Sequence, residues 1–92
     1  MNFLIEDRRF ELTVAGYTSA IDGKESWELR DGLAWELWED IAGEWVMLLE
    51  VFKNDHTDKS TFESFSSLNI PVAALKVLLD DFDTRATPRP KN

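Results

Sequence analysis

The chain has 92 residues, 43% of them hydrophobic and 12% aromatic, with four Trp, six Phe and no Cys; this supplies apolar volume for one core, leaves no room for a second, and excludes disulfide staples and thiolate metal sites. Its formal net charge is −8, all eighteen acidic residues precede residue 84, and three of the ten basic residues, Arg85, Arg89 and Lys91, fall in the last eight positions. A body this acidic repels nucleic-acid phosphates and anionic lipid heads and draws basic partners at long range, although acidity also serves simply to keep a small protein dispersed in water.

The opening Met1-Asn2-Phe3-Leu4-Ile5-Glu6-Asp7 lacks the basic start and long apolar run of an export signal, and no stretch approaches the ~20 apolar residues of a membrane span. The expectation is a soluble, cytoplasmic chain with no membrane and no nucleic-acid partner. Phe3-Leu4-Ile5 reads as a short strand, joined by a turn at residues 6–8 to a second one over Arg9 to Ala15. There Phe10, Leu12 and Val14 alternate with Glu11 and Thr13, the period of a strand with one buried face. Gly16 to Lys24 carries turn chemistry, including Asp22-Gly23.

Trp27 and Leu29 alternate with Glu28 and Arg30, and after Asp31-Gly32 the alternation resumes with Leu33, Trp35 and Leu37. Alternating runs on both sides of Asp-Gly predict a hairpin over 26–39. Leu33, Leu37, Trp38, Ile41 and Trp45 also fit one face of a helix capped by Asp31; strand is preferred, since Trp and the Asp-Gly pair both disfavour a helix there. A turn around Gly43 leads into Trp45 to Lys53, apolar on both faces, which predicts a central strand covered on each side. Residues 54–59 form a polar loop, and 60–66, with Phe62 and Phe65 among Ser and Thr, read as an edge strand. Asn69 as N-cap, Pro71 in the first turn, and Val72, Leu75, Leu78, Leu79 and Phe82 at spacings of three and four predict a helix packed on the sheet. Residues 85–92, with Pro88 and Pro90, read as a basic, disordered tail. The predicted fold is α+β: an antiparallel β-meander of four to five strands with one C-terminal helix on one face, in a single domain over residues 1–84.

Catalytic chemistry finds little support. His56, the only histidine, sits with Asp55 and Asp58 in a polar loop, whereas catalytic zinc recruits three protein ligands; a solvated loop is the better reading. Asp80, Asp81 and Asp83 lack calcium-loop spacing and read as a solvated helix end. The serines at 64, 66 and 67 have no nucleophile elbow, no glycine loop suits phosphate, and the pair Glu36 and Glu39 has little cleft in which to raise a pKa. Neither an enzyme nor a cofactor is expected.

One constellation stands out. Residues 25–50 hold all four Trp and eight acids against a single basic residue, Arg30. If the strand turns Leu33, Trp35 and Leu37 inward, Trp38 projects from the other face between Glu36 and Asp40, and one helix covers only one face. An uncovered apolar patch rimmed by carboxylates marks an interface, and Trp is enriched at binding hot spots; the competing reading folds another segment over Trp38 and buries it. The expected function is an acidic protein-binding module for a basic protein partner, in the manner of small inhibitors or immunity proteins, an analogy of size, charge and architecture alone. Its binding residues would be Trp38, Glu36 and Asp40, with Glu28 and Glu39 as rim acids. The alternative is a self-associating accessory domain whose free face is consumed in a homodimer.

Overall fold

The computed structural model describes residues 1–17, 31–67 and 69–86. Five strands follow in chain order: β1 (Asn2–Ile5), β2 (Arg8–Tyr17), β3 (Gly32–Ile41), β4 (Glu44–Asn54) and β5 (Ser60–Ser64), with a helix, α1 (Val72–Ala86), after them. Every neighbouring pair is antiparallel and spatial order equals chain order, so the fold is the expected α+β meander.

Two turns are encoded locally. The β1–β2 loop is only Glu6 and Asp7, with φ of 51° and 66°, and the β3–β4 loop is Ala42 and Gly43, with φ of 55° and 87°. Two successive left-handed residues match the right-handed twist of the strands they join. The Asp40 carboxylate accepts a hydrogen bond from the Gly43 N–H at 3.0 Å and so holds the second turn.

Asp31-Gly32 does not make the expected hairpin turn. Gly32 is the first residue of β3, opposite Tyr17 on β2 and Asn54 on β4, so both edges of β3 are already taken. The strand expected over 26–30 lies outside the described residues. Gly32 is needed for another reason: a Cβ there would lie 1.9 Å from the Lys53 carbonyl oxygen, and its φ is +153°.

β4 is central, between β3 and β5, and a bulge breaks its alternation. Leu37 faces Leu49 and the next residue, Trp38, faces Met47, which leaves Leu48 as the extra residue. Leu48 and Leu49 are successive, yet both are buried in one cluster with Phe10, Leu12, Trp35, Leu37, Val51, Ala74 and Leu78. A bulge sets two residues against one and resets the side-chain phase; the start of β4, Trp45 and Val46, is consequently exposed.

The helix lies against β2 and β3. It begins after Pro71, whose carbonyl accepts from the N–H groups of Ala74 and Leu75 at 3.0 and 3.2 Å. Pro71 thus stands at the N-cap position, and Asn69, expected there, instead gives its carbonyl to the Arg8 guanidinium at 3.0 Å. The buried stripe is Ala74 and Leu78 with Leu75, Val77 and Phe82 packed beside them, while Val72 and Leu79 are exposed. The Phe82 ring meets the buried Trp35 edge-on at 4.9 Å between centroids. The helix also runs past the expected boundary at residue 84: Arg85 is within it and pairs with Asp81 at 2.8 Å. Of the expected tail, residues 87–92 lie outside the described residues. No helix among the described residues is long and apolar enough to cross a membrane.

Candidate functional site

Paired residues on adjacent strands share a face, so the sheet register assigns each candidate to a side. Phe10, Leu12 and Val14 of β2 stand opposite Glu39, Leu37 and Trp35 of β3, on the helix side. Glu11 and Thr13 stand opposite Trp38 and Glu36, and Asp40 stands opposite Trp45, on the other side. On that second face Glu11, Thr13, Ala15, Glu36, Trp38 and Trp45 line one open depression of about 340 Å³.

Glu36 is the centre of this site. Only 9% exposed, it accepts from the Thr13 hydroxyl at 2.9 Å, the Tyr17 hydroxyl at 3.0 Å and the Trp38 indole N–H at 3.3 Å. The indole N–H is shared with Thr13 Oγ1 at 3.2 Å. Burial of a carboxylate is costly unless donors replace the lost water, and here β2 and β3 supply three. Directly across on β4 lies a second buried acid, Glu50. Like charges opposed across a ladder repel, and Glu50, like Glu36, is met by an interaction of its own.

Trp38 is half-buried, held by its N–H at one end, and Trp45 is 39% exposed. Trp38 therefore belongs to neither extreme expected of it: it forms a rigid wall of an open depression. Asp40 is on the same face, but its carboxylate holds the Gly43 turn and lies 4.0 Å from Arg9, so its charge is partly met locally.

Glu39 requires correction. It projects from the helix side, opposite the Trp38 face, and its carboxylate, 7% exposed, takes two parallel hydrogen bonds of 2.7 Å from Arg8. The alternation that puts Trp38 on the open face necessarily sends Glu39 to the other, and a neutralised, buried carboxylate cannot steer a partner across the sheet. The Glu39 hydrogen bond, above all, raises the Arg8 pKa beyond its ordinary value. Glu28, the remaining expected rim acid, lies outside the described residues.

Sequence reasoning missed Glu11, Thr13 and Trp45 as members of the site. The alternation of β2 already marked Glu11 and Thr13 as facing away from the core; what was missing was that β2 is the neighbour of β3.

The other candidates take structural places. His56 Nε2 lies 2.6 Å from Asp31 Oδ2, and the Asp55 N–H donates to the Asp31 carbonyl at 2.8 Å, so the β4–β5 loop is tied to the start of β3. Asp81 is not a merely solvated acid: it accepts the Trp35 indole N–H at 2.9 Å as well as pairing with Arg85. Among the described residues no group of three or more His, Cys, Asp or Glu is placed to hold a metal ion. No protein-family model, curated protein or solved structure matches the chain.

Proposed function

We propose that this protein is a small acidic binding module whose open sheet face receives a basic protein partner, rather than an enzyme. One observation carries the reading: two Trp and two carboxylates, Glu11 and Glu36, line a single depression on the face that α1 leaves free, and no basic side chain lines it among the described residues. Trp provides large contact area at small entropic cost, and carboxylates beside it favour a cationic partner and speed its encounter. The role is that of an inhibitor or immunity-type protein, acting in the cytoplasm, with which a cysteine-free composition is compatible.

The test is an NMR map of the protein titrated with poly-L-lysine, a basic polypeptide without aromatic groups. Shifts concentrated at Glu11, Thr13, Trp38 and Trp45, reversed by salt and reduced in Trp38→Ala, are expected. Shifts spread evenly over the surface, or indifferent to that substitution, would remove the ground for the reading.

Self-association is favoured by a separate observation. All five residues of β5 are exposed, including Phe62 at 60%, and β5 ends the sheet among the described residues; such an edge is a template for another strand. Molar mass by light scattering across a concentration series separates the two. A constant monomer mass is expected of the binding module, and a rising one of the homodimer.

A further inference from the structure

We infer that the depression on the open face is an arginine-binding site, taking a guanidinium of the basic partner. The inference rests on the binding-module reading and specifies it. The Glu11 side chain makes no hydrogen bond or ion pair among the described residues, so its carboxylate is placed to meet a cation. Glu36 Oε1 already accepts from Thr13 and Trp38, whereas Oε2 accepts only from Tyr17 among its described contacts and retains a lone pair. The site thus offers two carboxylates from adjacent strands, one of them immobilised by three donors before any ligand arrives.

The remaining lining decides which cation. Trp38, Trp45 and Ala15 make most of the surface apolar or aromatic. An ammonium is a compact and strongly hydrated point charge that gives up its water reluctantly; a guanidinium is planar, weakly hydrated, stacks on indole and reaches carboxylates through a fork of N–H donors. A hard divalent cation keeps a tightly held shell of oxygen ligands, to which the indole walls contribute none. Trp38 is held in place through its N–H, so its ring orientation is set in advance and little entropy is lost on stacking.

The experiment follows the Trp38 and Trp45 indole N–H resonances at fixed ionic strength during titration with N-acetylarginine amide, its lysine counterpart and its neutral, near-isosteric citrulline counterpart. Saturable shifts with the arginine probe are expected, with binding about threefold weaker for lysine and no saturable shift for citrulline. Glu11→Gln and Trp45→Ala, both at accessible positions, are expected to weaken the arginine probe about threefold or more while the remaining amide spectrum stays folded. Equal response to lysine or citrulline, or no effect of Glu11→Gln, overturns the inference. If poly-L-lysine shifts these resonances and the arginine probe does not, the arginine site is wrong and the basic-partner reading stands. If neither acts, both fall.

Discussion

Trp35 and Trp38 stand three residues apart on β3 and on opposite faces of the sheet. Trp35 is fully buried, edge-on to Phe82 and donating to Asp81, whereas Trp38 is half-buried, donating to Thr13 and Glu36. An odd spacing on a strand separates two chemically identical side chains into a core residue and a surface one. Trp35→Ala is expected to lower stability by about 3 to 5 kcal/mol through loss of packing. Trp38→Ala should cost less than half of that while removing about 2 kcal/mol of binding to a basic partner. Urea denaturation of both variants decides the first point; equal losses would place Trp38 in the core.

Arg8 and Glu39 provide a test with a pH signature. Arg8→Met leaves the Glu39 carboxylate buried and unpaired and is expected to cost about 1 to 3 kcal/mol. The Arg8 pKa is raised on folding above its ordinary value, so its stabilisation is fully present below that ordinary value and is lost only as pH rises through the folded value. The deficit of Arg8→Met should therefore stay constant between about pH 6 and pH 10. A deficit that shrinks across this window, measured by denaturation at several pH values, would show that another group carries it.

Gly32 and Gly43 both have positive φ, but their surroundings differ. A Cβ at Gly32 would overlap the Lys53 carbonyl, while one at Gly43 meets nothing within 4 Å. Gly43→Ala is expected to cost about 1 kcal/mol from the left-handed backbone alone. Gly32→Ala must move β4 away from β3 and should cost several kcal/mol, about 3 or more. Thermal melts that coincide for the two variants would contradict this contact.

The helix gives a contrast between residues that sequence periodicity treats alike. Leu78 is 0% exposed and Val72 is 70% exposed. Leu78→Ala is expected to cost about 2 to 5 kcal/mol, and Val72→Ser to remain within about 0.5 kcal/mol. A large loss in Val72→Ser would mean that α1 is rotated from the stripe described here.

Signals confined to a few neighbouring residues were legible in the sequence. The alternation of Phe10, Leu12 and Val14 and of Leu33, Trp35 and Leu37 specified strands with two unlike faces, Gly43 marked a turn, and the spacing of Leu75, Leu78 and Phe82 specified a helix. These suffice for an α+β meander and for placing Trp38 and Glu36 on the face away from Leu37, because strand periodicity is a property of the local backbone. Tertiary structure alone decided the rest. Pairing of β2 with β3 brought Glu11 and Thr13 beside Trp38, and no local pattern specifies which distant strand is a neighbour. The bulge at Leu48 reversed the side-chain phase within β4, an offset visible only against the partner ladder. Arg8 neutralised Glu39 from 31 positions away, and three donors on two strands made Glu36 a buried, fixed carboxylate. Charge on a side chain is written in the sequence; whether water, a cation or a partner meets it depends on residues the fold brings together.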